Sequence, residues 1–389
     1  MSPLEIQELL NICIGLLSGG CTADLLACAL VARPWVNAAQ ARLFRIPIPL
    51  RPVTDFSYFS DSQASKFIYS LRSNPSLIRY AQELELDVGD SVKHTVHVQT
   101  FEDLCTVQFT HLKRFSLEIY GSFDWHSTAV KGIVALPSLE YLSISTRDQT
   151  FGSLAHIWEC CSPTIRHLQI DCAEGGELPP STNQTVCLVS LRLGVRFWGD
   201  GCPCEPRSRL LHPFNLSSLK AIGIHEGVSV PWNSSDIGSI EVLDVDGISD
   251  LDFSDPLDIV PLPNLRILRI HLTDNTIGVS NLDCLGPIME FYSYLHTIMI
   301  VVTRRFEEDE EDESGIPALV SALLCLASGL VTRPLIELEY DYEEYTEDEA
   351  RALVPNLTER DLLHFVGSSF ERNRPEMEQS WWRSVISQF

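Results

Sequence analysis

The stretch Leu262-Pro263-Asn264-Leu265-Arg266-Ile267-Leu268-Arg269-Ile270 decides the fold of this chain. Its apolar residues Leu262, Leu265, Leu268 and Ile270 are spaced by three, three and then two positions. An amphipathic helix would place apolar residues at every third or fourth position throughout, and a half-buried strand would simply alternate. The spacing therefore predicts a tight turn that leads into a short strand.

The same spacing recurs along most of the chain. Full copies end at the pairs Leu84 and Leu86, Phe115 and Leu117, Leu142 and Ile144, Ile222 and Ile224, Leu243 and Val245, and Ile298 and Ile300. Shorter copies end at Leu168 and Ile170, Leu191 and Leu193, and Leu338 and Tyr340. The interval between copies is roughly 21 to 31 residues and about 40 at the last step, which brackets the period of leucine-rich repeats. The chain therefore resembles an irregular leucine-rich-repeat solenoid, an α/β fold with parallel strands on its concave face.

Length and composition agree with a repeat array. A single hydrophobic core stops growing near roughly 250 to 300 residues, so a longer chain must form domains or add repeats in one dimension. The chain has 389 residues, of which 45% are hydrophobic and 21% are charged. These fractions are those of an ordinary globular protein.

The charge balance argues against nucleic acid and membrane partners. The chain carries 53 acidic and 28 basic residues, a formal net charge of −25. Phosphate backbones and anionic lipid surfaces should repel it, and no apolar run approaches the roughly 20 residues of a membrane span. Its 12 cysteines are too dilute for a disulfide scaffold, so a reducing compartment, the cytoplasm or nucleus, is expected.

Residues 1–50 predict a compact module of three short helices. The first begins at Pro3, the second spans Leu25 to Ala32, and the third runs from Trp35 to about Phe44. Proline in the first turn and carboxylates close behind it favour a helix start. So few residues bury little apolar surface on their own. We therefore expect another element or a partner to cover this module.

The same residues resemble a known family. Pro3, Glu5 and Ile6 look like the opening of an F-box motif, and the segment from Leu25 to Trp35 looks like its remainder, in the form found in many fungal F-box proteins. The resemblance implies a docking face for the Skp1 adaptor of a cullin-RING ubiquitin ligase. The residues placed on that face are Leu4, Ile6, Leu9, Leu26, Leu30, Val31 and Trp35. The alternative is that these helices only cap the first repeat, because solenoid ends must be closed.

The pattern divides the rest of the chain into three regions. Residues 51–77 predict a linker with a helix that ends near Leu71, and residues 78–345 predict the repeat region. An acidic run near 306–314 predicts a solvated loop in its last part, because adjacent like charges repel. Residues 346–389 predict a helical C-terminal cap, with one helix from Thr358 to about Phe370 and another that contains Trp381 and Trp382.

The candidate substrate-binding residues lie between and just after the apolar pairs. Side chains alternate along a strand, so these positions are predicted to face solvent on the concave side. They are Glu85, Asp87, Glu118, Asp171, Asp244, Asp246, Arg269 and His271. The face is therefore predicted to be acidic with a basic spot, and to bind a partner that carries a basic patch. The alternative is that these are ordinary solvated positions.

The sequence contains no motif that predicts catalysis or metal binding by this chain. It contains no nucleophile elbow, no phosphate-binding glycine loop and no zinc-protease motif. Cys202-Pro203-Cys204 is one ligand pair where structural zinc needs two, and Asp244-Val245-Asp246 departs from the spacing of a calcium loop. We expect neither metal nor cofactor, and no enzymatic activity.

The function expected from the combination is that of a substrate-recognition subunit. The F-box-like module would dock Skp1 and, through it, a cullin, while the repeats would present a protein substrate. The alternative is a repeat scaffold that binds a protein partner outside any ligase.

Overall fold

The computed structural model describes residues 27–28, 35–36, 38–39, 48–49, 61–89, 98–120, 128–146, 154–172, 186–195, 214–224, 238–246, 262–273, 297–303, 336–341, 363–368 and 381–389. The chain forms two compact units, Met1–Val186 and Cys187–Phe389.

The first unit alternates strands and helices. Its strands are β1 (Ile48–Pro49), β2 (Glu83–Gly89), β3 (Arg114–Tyr120), β4 (Tyr141–Thr146) and β5 (His167–Cys172). Its helices are α1 (Asp61–Ser73), α2 (Val98–Cys105), α3 (Thr128–Val134) and α4 (Ala155–Trp158), and a 3-10 helix spans Pro75–Tyr80. The strands pair in parallel and in chain order. Helix α1 contacts α2, α2 contacts α3, and α3 contacts α4.

The core of this unit is an apolar ladder across the strands. Leu84, Phe115, Leu142 and Leu168 are register partners, and all are buried. Because side chains alternate along each strand, the second residue of every apolar pair joins a parallel ladder on the same face. The helices add buried residues at helical spacing, for example Phe101 and Leu104 of α2.

The turn before each strand explains the spacing of three. Leu139 N–H donates to the Leu136 carbonyl at 3.1 Å, and Leu265 N–H donates to the Leu262 carbonyl at 3.0 Å. In several repeats the side chain just before the second apolar residue also donates to the previous repeat. Ser138 Oγ reaches the Leu112 carbonyl at 2.9 Å, and Ser239 Oγ reaches the Leu219 carbonyl at 2.7 Å. The turn therefore links successive repeats and closes each one.

The second unit continues the same construction. Its strands are β6 (Ser190–Val195), β7 (Ala221–Ile224), β8 (Val242–Asp246), β9 (Ile267–Thr273) and β10 (Thr297–Thr303), and they pair in parallel and in chain order. A separate parallel pair is formed by β11 (Ile336–Asp341) and β12 (Leu363–Ser368). Residues 381–386 form a helix, here called the tryptophan helix.

The described structure confirms the strand predictions. Every apolar pair named above lies in one of the strands β2 to β11. The linker helix is also confirmed. The fold is thus α/β with parallel strands in chain order, which is compatible with a repeat solenoid.

The predicted helix from Thr358 to about Phe370 is wrong. Residues Leu363–Ser368 form a strand that pairs with Ile336–Asp341. Thr358 followed by acidic residues resembled a helix start, but Phe365 and Val366 favour extended backbone. Parallel pairing with β11 supplies the hydrogen bonds that a helix would have made internally. The C-terminal cap is therefore not wholly helical.

The predicted N-terminal module falls largely outside the described residues. Residues 27–28, 35–36 and 38–39 are helical, and Ala38 and Ala39 are buried. The predicted acidic loop near 306–314 also lies outside them. No helix in the described ranges is long and apolar enough to cross a bilayer.

The hydroxyl link between repeats gives a stability prediction. We expect Ser239→Ala to lower the free energy of unfolding by about 1 kcal/mol, because the Leu219 carbonyl loses its donor. Ser217→Ala is the control, since Ser217 is exposed and its turn contact uses the backbone N–H. Urea denaturation measures both variants. Equal losses would contradict a specific role for the hydroxyl.

Candidate functional site

The face opposite the apolar ladder of the first unit is lined by polar residues in register, here called the first polar face. Its first row is Glu83, Arg114, Tyr141 and His167, its second is Glu85, Ser116, Ser143 and Gln169, and its third is Glu118, Ser145 and Asp171. Parallel pairing without offsets brings equivalent positions of successive repeats side by side. The repeat pattern therefore determines which side chains are neighbours.

Polar contacts connect the strands across this face. Arg114 Nε lies 3.5 Å from Glu83 Oε1, and its guanidinium lies 5.7 Å from the centre of the Tyr141 ring. Tyr141 OH donates to Gln169 Oε1 at 2.9 Å, and Gln169 Nε2 donates to Asp171 Oδ2 at 3.2 Å. The side chains are thus held in place, which reduces the entropy that a partner would have to remove on binding.

The electrostatics of the first polar face are acidic. Burial lowers the pKa of His167 from 6.5 to about 4, and the positive charges of Arg166 and Arg114 act in the same direction while Glu140 opposes them. The ring is therefore neutral at neutral pH. Glu118 and Asp171 are half-buried, whereas Tyr141 and all four residues of the second row are buried. Such a face attracts cationic side chains.

The third row contains a buried hydroxyl between two carboxylate-bearing strands. Ser145 is the register partner of Glu118 on β3 and of Asp171 on β5. In the part of the chain that the structure describes, its Oγ is buried without a hydrogen-bond partner. A donor or acceptor from a bound segment would complete this position.

The second unit has a different row, here called the arginine–aspartate row. It consists of Arg192, Gly223, Asp244, Arg269 and Met299, which are register partners on β6 to β10. Arg192 Nε lies 3.9 Å from one carboxylate oxygen of Asp244, and Arg269 Nη1 lies 3.8 Å from the other. Asp244 is only 2% exposed and Arg269 only 5%. One buried carboxylate thus faces two buried guanidinium groups.

Gly223 makes this arrangement possible. A Cβ atom at residue 223 would lie 2.8 Å from Cγ of Arg192, which is too close for any side chain without displacement. The absence of a side chain on β7 lets Arg192 extend across this strand toward Asp244 on β8. The glycine is therefore part of the row.

The tryptophan helix covers the row. The Arg269 guanidinium lies 4.4 Å from the centre of the Trp381 ring, and that of Arg192 lies 6.0 Å from the centre of the Trp382 ring. Trp382 is completely buried, whereas Trp381 is half-buried. Cation–π attraction strengthens when the cation is removed from water, as both arginines are here. Adjacent tryptophans thus take different environments, as their positions on one helix predict.

The predicted substrate-binding residues separate into two groups. Glu118 and Asp171 are half-buried on the first polar face, but the expectation that all of these side chains face solvent is wrong for Glu85, Asp244 and Arg269, which are buried. Neighbouring side chains in the row and the tryptophan helix exclude water from the last two. The backbones of Asp87, Asp246 and His271 lie in strands β2, β8 and β9, and their side chains are outside the described set.

Other functional residues were missed in the sequence. Arg192 stands between Leu191 and Leu193, the position at which the other candidates were chosen, so the pattern could have found it. Arg114 and Tyr141 lie one strand position before their apolar pairs. Alternation places that position on the same face, which is the signal that could have found them.

The predicted adaptor face is described at one residue. Trp35 is helical and half-buried. Leu4, Ile6, Leu9, Leu26, Leu30 and Val31 lie outside the described residues. The docking face for an adaptor therefore stays a prediction.

Two cysteine thiols of the first unit are poor nucleophiles. Burial raises the pKa of Cys105 and of Cys161 to about 12, with smaller contributions from the charge of Glu102 and from Cys160 respectively. Both thiols are therefore protonated at neutral pH, and the thiolate is the reactive form. Among the described residues, no group of three His, Cys, Asp or Glu side chains could hold a metal ion.

The buried carboxylate gives a stability prediction. We expect Asp244→Asn to lower the free energy of unfolding by about 3 to 5 kcal/mol, because two buried guanidinium groups lose their counter-charge. Glu241→Gln is the matched control. Glu241 also bridges two cations, with Lys220 Nζ at 2.8 Å and Arg266 Nη1 at 3.5 Å, but it is more exposed. Its loss should cost about 0 to 1 kcal/mol. Similar losses in denaturant titrations would contradict the assignment.

His167 gives a pH prediction. Between pH 6.5 and about 4 the unfolded chain binds a proton at this residue and the folded chain does not, so falling pH destabilises the fold across that window. The difference in unfolding free energy between the native chain and His167→Gln should therefore decrease from pH 6.5 to 4. Other groups titrate in both proteins and cancel. A difference that is constant over this window would contradict the lowered pKa.

Comparisons with known proteins add no family assignment. No family model matches the chain, and no curated protein shows significant similarity to it.

Proposed function

We propose that this chain is the substrate-recognition subunit of an SCF-type cullin-RING ubiquitin ligase. Its F-box-like N-terminal segment would dock a Skp1-like adaptor and, through it, a cullin. The strands and return segments would form a leucine-rich-repeat-like solenoid that presents a protein substrate. Trp35, at the end of the motif-like segment, is half-buried and thus accessible to a partner.

The observation that carries the proposal is the first polar face. It is an ordered polar surface on register-matched strands, and it follows the F-box-like segment in the same unit. Rigid surfaces on regular elements bind other proteins with little loss of conformational entropy. A repeat array with such a face suits recognition of a protein.

The chemistry of the face indicates the kind of substrate segment. Glu118 on β3 and Asp171 on β5 carry carboxylates and are half-buried, whereas Tyr141 is buried. A segment rich in lysine or arginine would complement these charges. The chain's net charge of −25 would accelerate its encounter with a basic partner at low ionic strength.

In this proposal the chain works by positioning. Holding a substrate on one region and an adaptor on another raises the local concentration of substrate lysines near an enzyme that is held elsewhere. The chain itself transfers no group. Specificity would come from the polar face, and catalysis from the other ligase subunits.

Binding of purified Skp1 tests the proposal. The native chain should retain Skp1 in a pull-down, and Leu30→Asp and Trp35→Ala should each weaken retention about tenfold or more, as loss of a buried interface anchor does. The double variant Glu118→Lys, Asp171→Lys is the control, and it should bind Skp1 normally.

Substrate binding is tested with the same variants, and the opposite results are expected. Substrates identified by affinity purification with the native chain should be retained by Leu30→Asp and lost by Glu118→Lys, Asp171→Lys. If the native chain binds no Skp1 but still retains partners through the polar face, the chain is a scaffold outside the ligase. Retention by the lysine variant would exclude the polar face as the binding surface.

A further inference from the structure

The contact between the arginine–aspartate row and the tryptophan helix is unusual in its chemistry. It places two guanidinium groups and a single carboxylate below a helix that offers them aromatic rings. Buried cations are normally matched by acceptors as well as by ring faces. The contact with the tryptophan helix is therefore polar on one side and aromatic on the other.

This contact leaves donors of the row without acceptors. Within the described ranges, Nε and Nη1 of Arg269 are buried with no hydrogen-bond acceptor, and so is Nε1 of Trp382. Asp244 Oδ1 lies 3.8 Å from Nη1 of Arg269, beyond hydrogen-bond distance. A bound segment that placed a carboxylate here would make hydrogen bonds that the tryptophan helix does not make.

The described part of the tryptophan helix, residues 381–386, contacts the two arginines of the row through its tryptophan rings. Buried Trp382, Val385 and Ile386 anchor it, while Ser384 and Ser387 are exposed. Elements that pack on a sheet can open at lower free energy than the paired strands beneath them.

We propose that the arginine–aspartate row is a docking groove for an acidic, aromatic helical segment of a partner protein, and that the chain's own tryptophan helix occupies it reversibly. The partner would supply an aromatic ring to cover Arg269 and a carboxylate to accept from it. On the tryptophan helix itself, Nε of Arg383 is also buried without an acceptor among the described residues. The groove does not depend on assembly into a ligase.

A peptide added in trans tests the groove on the full chain. The probe is a fluorescent peptide of residues 376–389, and the variant Trp381→Ala, Trp382→Ala removes the anchors of the attached helix. We expect the variant to bind the probe at least about tenfold more tightly than the native chain, in which the attached helix competes. Adding Arg269→Ala to the variant should abolish binding, whereas adding Glu241→Gln, outside the row, should leave it unchanged.

A second peptide tests the chemistry of the partner. The same probe with Arg383→Glu exchanges a cation for a carboxylate, and it should bind the variant about tenfold more tightly than the native sequence, with a stronger dependence on salt. Equal or weaker binding would exclude an acidic partner. A concentration-dependent dimer of the native chain would instead identify a second copy as the occupant and overturn the assignment.

Hydrogen exchange on the native chain keeps the proposal testable if the tryptophan variant does not fold. Amides of residues 384–386 should exchange at least about a hundredfold faster than those of β8, because the helix opens while the strands remain paired. Exchange of both sets only through global unfolding would show that the helix is a permanent part of the fold, and the groove would be excluded.

Discussion

The register of the parallel strands is the constraint on which the rest of the structure depends. Leu84, Phe115, Leu142 and Leu168 pair position for position, so the apolar residues of each repeat stack on those of its neighbours. Side chains alternate along a strand, and a shift of one residue would expose this ladder and bury the polar rows. The apolar interior therefore also fixes which charged groups face one another on the opposite side.

The two units use this register in opposite ways. On the first polar face the second row contains small residues, Ser116 and Ser143, and hydrogen bonds connect longer side chains around them. In the second unit the equivalent positions hold long arginines, and Gly223 removes the side chain that would keep Arg192 from Asp244. Two arginine side chains that converge on one carboxylate are shielded from solvent only if another element covers them, and the tryptophan helix does so. One construction thus gives a hydrogen-bonded polar face in one unit and a charged row covered by a helix in the other.

The sequence predicted the strands well because their signal is local. Three residues of turn followed by an alternating pair can be recognised within about ten positions, and every such pair lies in a strand. The helix Val98–Cys105 was missed, although Phe101 and Leu104 have helical spacing. The strand Leu363–Ser368 was taken for a helix, because its pairing with β11 is a tertiary contact that periodicity does not contain.

The candidate site was predicted less well for the same reason. Alternation correctly identified Asp244 and Arg269 as members of a polar row, but it could not show that a helix more than a hundred positions later covers them. Whether a side chain is exposed depends on the whole fold, whereas the face of the sheet on which it lies depends only on its position in the strand. Glu118 and Asp171 are half-buried, whereas Asp244 and Arg269 are buried.

The two surfaces also differ in the sign of their charge. The chain has a net charge of −25 and its first polar face is acidic. The arginine–aspartate row, in contrast, holds two cations for one anion. A basic segment has no acceptor to reach in the row beyond a carboxylate that two arginines already share. Under the proposals made above, an acidic segment would be repelled by the first polar face and attracted to the row once the helix had left it. The two surfaces would then select ligands of opposite charge.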